Sequence, residues 1–127
     1  MAAALSYRDR LQSFAPDVTF LMTLYLNEST TPATIAEAAQ AGIVGLKAYP
    51  VGVTTNSGAG VLDIRSYYPV FEAMQAHDLV LNLHGEVPST SSPDYLTAVS
   101  GDAVTVLNAE TMFLSTLHKL HADFPGE

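Results

Sequence analysis

The chain has 127 residues, of which 48% are hydrophobic and 14% charged. That is enough for one domain with a real core, and too apolar for a disordered segment. The net charge of −8 disfavours nucleic acid or an anionic membrane as the main partner, because both demand basic patches, but a small anionic substrate stays open where a metal reverses the local field. With no cysteine, disulfides and thiolate metal sites are excluded. A reducing cytosol is then the simplest home. Any metal must be held by His, carboxylate or a modified side chain. No apolar run spans a bilayer, and the N-terminus lacks the basic front and apolar centre of a secretory signal.

Ala2 to Phe14 is predicted as a helix, with Leu5, Leu11 and Phe14 apolar among polar residues. Pro16-Asp17 ends it. Val18 to Leu26 is almost wholly apolar or β-favouring, as expected of a strand buried on both faces. Ser29 to Thr31 before Pro32 make a helix start, Ala33 to Ala41 the helix, and Gly42 its close. Ile43 to Tyr49 reads as a second strand and Pro50 to Gly60 as a loop. Ile64 to His77 is predicted helical, with Pro69 tolerated near its first turn and Tyr67, Val70, Phe71 and Met74 on its buried face. Leu79 to His84 is the third strand, and Glu86 to Asp102 a polar loop. Thr105 to Ala122 is a last helix whose stripe is Val106, Ala109, Phe113, Leu117 and Leu120. The order αβαβαβα predicts an α/β fold with a parallel sheet and right-handed crossovers. It fits either a small open sheet or part of a barrel. No glycine-rich phosphate loop follows a strand. Met1 opens directly into the first helix, and Phe124-Pro125-Gly126-Glu127 would turn into another strand, so the chain is expected to be an internal piece.

Two apolar runs end on residues capable of chemistry. Ile43-Val44-Gly45-Leu46 delivers Lys47, and Leu79 to Leu83 delivers His84-Gly85-Glu86. Taken alone, Lys47 reads as a snorkelling lysine and His84 as a hydrogen-bonded core histidine. Together, one strand-helix-strand unit apart, they point to a site at the mouth of an α/β barrel. Glu86 either orients His84 or is a solvated loop carboxylate. Tyr49 reads as packing. Asn56 shares the standing of its loop, a solvated segment or one that closes over a ligand. His77 sits at a helix C-terminus, where positive charge is favourable. His118 and His121, at i and i+3, read as a surface feature.

The segment Gly45-Leu46-Lys47-Ala48-Tyr49-Pro50-Val51-Gly52-Val53-Thr54-Thr55-Asn56 resembles the strand-and-loop motif of the dihydroorotases in their monofunctional form. Leu83-His84-Gly85-Glu86, Tyr68-Pro69-Val70-Phe71-Glu72-Ala73-Met74, Leu107-Asn108-Ala109-Glu110 and Phe113-Leu114 agree with the same family. The resemblance covers nearly the whole chain and implies part of a TIM-type (β/α)8 barrel of the amidohydrolase superfamily, with 1–127 one partial domain of three strands. It implies zinc-dependent interconversion of dihydroorotate and N-carbamoyl-L-aspartate in de novo pyrimidine biosynthesis, in the cytoplasm, on a small-molecule substrate, by a homodimer in the complete enzyme. Two zinc ions would be bridged by Lys47 as its N6-carboxy derivative, formed with CO2, and one would be bound by His84. The carbamate suits that role because two oxygens on one stem serve two cations, whereas an ammonium offers no lone pair. Thr54 and Thr55 match hydroxyl residues of a mobile loop that binds substrate.

The family's His-x-His-x-Arg strand, an asparagine, a further histidine and the aspartate that serves as ligand and base have no counterpart in this sequence. The chain therefore carries no catalytic base of its own, and two ligands do not close a binuclear site. Alone it is expected to be inactive. The competing expectation is a non-catalytic α/β module derived from a dihydroorotase and acting by pairing with a partner.

Overall fold

The computed structural model describes residues 1–87, 104–105 and 107–125. Its elements are α1 (Ala2–Phe14), β1 (Met22–Tyr25), α2 (Pro32–Gln40), β2 (Ile43–Ala48), a 3-10 turn (Ile64–Tyr67), α3 (Tyr68–Ala76), β3 (Val80–Leu83) and α4 (Ala109–Asp123). The three strands form a parallel sheet in the order β1-β2-β3. Each crossover helix begins and ends where the chain chemistry demands. Thr31 caps α2 by accepting from the Thr34 amide at 3.2 Å, ahead of Pro32. Gly42, at φ +80°, ends that helix in the left-handed region that suits glycine. Asp78, at φ +53°, does the same after α3, and the Leu79 amide reaches back to the Met74 carbonyl at 3.0 Å.

Helices cover one face of the sheet. Leu24 of the first strand and Leu26 just after it, Leu46 and Ala48 of the second, and Leu81 and Leu83 of the third pack with Ile35, Val70, Phe71, Met74, Phe113 and Leu120. Side chains alternate along a strand, so the intervening residues turn to the opposite face. Register then aligns Tyr25 with Lys47 and Lys47 with Asn82 in one row across the sheet. The sheet is thus apolar on its helix side, and the other face becomes polar toward the strand ends, at Tyr25, Lys47 and Asn82.

Two expectations change here. The strand predicted over Val18 to Leu26 is confined to Met22–Tyr25. The Val18 amide turns back to the Ala15 carbonyl at 3.1 Å, and Met22 already faces Ile43, the first residue of β2, so nothing upstream has a partner. Nor is that strand buried on both faces, since Thr23 is exposed and Leu21 just before it is 69% exposed. The predicted loop Glu86 to Asp102 lies mostly outside the described residues, as does Val106 of the predicted stripe.

Gly45 makes the close approach of β2 and β3 possible. A Cβ there would lie 2.4 Å from the Val80 carbonyl oxygen and 3.3 Å from Asn82 Nδ2. The Asn82 amide uses that gap to donate to the Leu46 carbonyl at 3.2 Å. Gly45→Ala is expected to destabilise the fold by about 1–3 kcal/mol through overpacking against backbone. The check is the urea midpoint, and an unchanged midpoint would mean that the two strands separate freely.

Candidate functional site

The polar face gathers at the C-terminal ends of β2 and β3. The ladder continues one residue past β3, because the His84 amide donates to the Ala48 carbonyl at 2.9 Å. On the other side of β2, the Leu26 amide donates to the Lys47 carbonyl at 2.9 Å. Lys47 is therefore held by its backbone from the β1 side while its side chain stands free of the ladder.

The Lys47 and His84 side chains meet at one ring. Lys47 Nζ lies 4.7 Å from the centroid of Tyr49, a cation–π contact. The Tyr49 and His84 rings are 5.4 Å apart and tilted by 34°. Tyr25 approaches Tyr49 from β1, at 5.9 Å. Sequence reasoning assigned Tyr49 to packing; the structure places it between the two candidate ligands. Tyr25 was missed altogether, because only the register of β1 on β2 brings it to this row. Its hydroxyl is buried without a hydrogen-bond partner among the described residues, and burial, then the neighbouring Tyr49, raises its pKa. A buried orphan hydroxyl on this face is a polar atom with bonding capacity still to be used.

His84 and Glu86 pair across a tight turn, with Nε2 3.5 Å from Oε2 and side chains 28% and 36% exposed. The described ion pairs employ Arg8, Arg65, His84 and Lys119, so Lys47 has no carboxylate partner among the described residues.

The Thr54–Ser57 loop is more ordered by its own bonds than its composition implies. Ser57, 1% exposed, donates from Oγ to the Thr54 carbonyl at 2.7 Å and accepts from the Thr54 amide at 3.0 Å. Thr54 Oγ1 donates to the Thr55 carbonyl at 3.4 Å, and Thr55 is exposed. Asn56 adopts φ +61° at the tip. Neither threonine hydroxyl bonds Lys47 or His84. Ser57 was missed in the sequence because a serine in a polar loop carries no signal of burial. His77 is the C-cap of α3, and His118 and His121 are exposed on α4.

No group of three His, Cys, Asp or Glu converges among the described residues. Lys47 and His84 fit a metal as part of a donor set. The imidazole is a ligand as it stands, and the lysine becomes one only as a carbamate, since its ammonium has no lone pair. Both side chains are only partly buried.

No protein-family model matches the chain. It is 51% identical over 122 residues to dihydroorotase from Mycosarcoma maydis and 52% identical over 125 residues to dihydroorotase from Saccharomyces cerevisiae. These alignments take in 96% of this chain but 29% and 33% of those proteins. The crystal structure of Saccharomyces cerevisiae dihydroorotase in complex with 5-fluoroorotic acid matches it with a TM-score of 0.87 at 50% identity, over 98% of this chain and 33% of that one. Dihydroorotase from Campylobacter jejuni matches with a TM-score of 0.73 at 30% identity, over the same shares. The chain thus spans about a third of the length of the relatives it matches.

Proposed function

The chain belongs to the dihydroorotase family over the third of the family's length that it spans, and we propose that it forms part of the active site of a zinc-dependent dihydroorotase. The complete enzyme would interconvert dihydroorotate and N-carbamoyl-L-aspartate by opening and closing a cyclic amide, in de novo pyrimidine biosynthesis. The observation that carries this reading is the meeting of Lys47 and His84 at the Tyr49 ring, on adjacent strand ends. Two zinc ions, when bound, would supply a hydroxide nucleophile and polarise the amide carbonyl.

This chain's residues have distinct tasks in that scheme. Lys47, once carboxylated by CO2, would offer two oxygens to hold the ions. His84 provides one neutral imidazole nitrogen. Thr54 and Thr55 hydrogen-bond the substrate and exclude water when their loop closes over it. The catalytic base and the remaining ligands come from elsewhere in the complete enzyme.

An apolar groove of about 470 Å³ supports a larger assembly. It lies between β3 and α4 and is lined by Leu81, Leu83, Phe71, Leu120 and Phe124 among others. Side chains from a neighbouring element of a barrel would fill it. No helix among the described residues is long and apolar enough to cross a membrane, and we place the complete enzyme in the cytoplasm.

The 127-residue chain alone, supplied with zinc and bicarbonate, is expected to show no sustained hydrolysis of dihydroorotate. The full-length product of the gene is expected to hydrolyse it. Turnover by the isolated chain would overturn the assignment of the missing ligands. Inactivity of a correctly folded full-length product would instead favour a non-catalytic module.

A further inference from the structure

Ser57 has no part in the scheme above, yet it is the hub of the loop that follows β2. Burying a hydroxyl costs stability unless its hydrogen bonds are met, and on this buried residue both are. Its Oγ donates to the Thr54 carbonyl at 2.7 Å and accepts from the Thr54 amide at 3.0 Å. The Ser57 main chain adds to this. Its amide donates to the same Thr54 carbonyl at 3.3 Å, and its carbonyl accepts from the Gly52 amide at 3.3 Å and the Gly60 amide at 3.0 Å. The neck of the loop closes beside it. The Val61 amide donates to the Tyr49 carbonyl at 2.7 Å, and the Val51 amide to the Val61 carbonyl at 3.2 Å. Gly60 permits that closure, because a Cβ there would lie 2.4 Å from the Tyr49 carbonyl oxygen and 2.9 Å from that of Ser57. The loop is therefore fastened, at its base, to the residue whose ring lies between Lys47 and His84.

One side chain thus holds the two peptide groups that flank Thr54. With both groups set, the direction of the Thr54 side chain is set, and so is the peptide that leads into Thr55. The threonine hydroxyls themselves stay available. Thr54 Oγ1 makes only a long, exposed bond to the Thr55 carbonyl at 3.4 Å, and Thr55 is exposed. The geometry points to Ser57 as a positioning residue, which pre-forms the Thr54–Thr55 tip so that both hydroxyls reach the substrate as one unit when the loop moves on its fastened neck. This role rests on the reading of Thr54 and Thr55 as substrate-binding residues and adds what orders them. Without the Ser57 hydroxyl the tip samples other arrangements, and the apparent affinity falls with the competent fraction. Once substrate is held the arrangement is the same, so the chemical step is spared.

The test is steady-state hydrolysis of dihydroorotate by the full-length product of the gene, with hydrogen exchange of the loop amides alongside. Ser57→Ala should raise KM about tenfold, the upper worth of one lost hydrogen bond, and leave kcat within about twofold. The Thr54 amide, deprived of its acceptor, should exchange faster while the amides of β2 and β3 do not. Thr54→Val with Thr55→Val should raise KM by itself. Adding Ser57→Ala to that pair should then change KM by less than about twofold, because the hydroxyls it positions are gone. A merely structural serine would not show that loss of effect. An unchanged KM in Ser57→Ala, with KM raised in the threonine pair, would overturn this inference and leave the substrate loop standing. An equal effect of Ser57→Ala in both backgrounds would overturn it too, since Ser57 would then act without the threonines. An unchanged KM in the threonine pair would remove the substrate-loop reading and this inference with it.

Discussion

Lys47→Ala in the complete enzyme is expected to lower kcat/KM for dihydroorotate by about a thousandfold or more. The reasoning is chemical. In the proposed site a carbamate on Lys47 would organise both cations, whose charge stabilisation amounts to several kcal/mol, and each 1.36 kcal/mol is tenfold in rate. Lys47→Arg should lose as much, although it keeps a cation over Tyr49 on the same open face. Guanidinium cannot take up CO2, so equal losses in the two variants identify the carbamate, not the positive charge, as the active form. The contact with Tyr49 sharpens this point. The ring face that attracts an ammonium at 4.7 Å repels an anion, because its quadrupole is negative there. Carboxylation would therefore lift Lys47 off the ring. Steady-state hydrolysis and bound zinc per chain are the measurements. Retention of activity within about tenfold of native would show that Lys47 bridges nothing.

Lys47 and His84 were legible because each breaks an apolar run at a strand end, a local feature of the sequence. Tyr25 was not legible, since its place beside Tyr49 follows from strand register, which joins residues far apart in the chain. The first strand was read as buried on both faces, although Thr23 and Tyr25 mark the polar alternation within it. Phe20, Leu21, Met22, Leu24 and Leu26 masked that period. Local side-chain bonds moved two helix boundaries. Asp63 accepts from the Arg65 amide at 3.0 Å and holds Ile64–Tyr67 as a 3-10 turn. The α-helix proper restarts at Tyr68, with Pro69 in its first turn. In the last helix, Asn108 Oδ1 takes the Thr105 amide at 2.7 Å and Thr105 Oγ1 the Leu107 amide at 3.2 Å. These bonds compete with helix, so it starts at Ala109 instead of Thr105. Its buried stripe runs through Ala109, Phe113, Thr116 and Leu120, while Leu117 stays 41% exposed.

Phe71→Ala should be the most damaging core substitution, at about 3–5 kcal/mol. Phe71 is 1% exposed and meets Phe124 edge-on, with centroids 5.6 Å apart and planes at 84°. Tyr68 completes the group at 4.9 Å from Phe124, and its hydroxyl donates to Asp123 at 2.5 Å. These three rings join α3 to the end of α4. A domain of ordinary stability holds only about 5–15 kcal/mol, so the loss removes much of it. Removing Phe71 also enlarges the apolar groove it lines beside Leu81 and Leu83, leaving β3 less supported just below His84. Phe124→Ala should be nearly as severe, and the double variant should cost less than the sum, with a coupling of about 0.5–1.5 kcal/mol from the ring pair. Urea unfolding of the four proteins closes the cycle. Strict additivity would mean that the two rings act through separate neighbours, and that α4 is attached to this sheet by something other than the aromatic cluster.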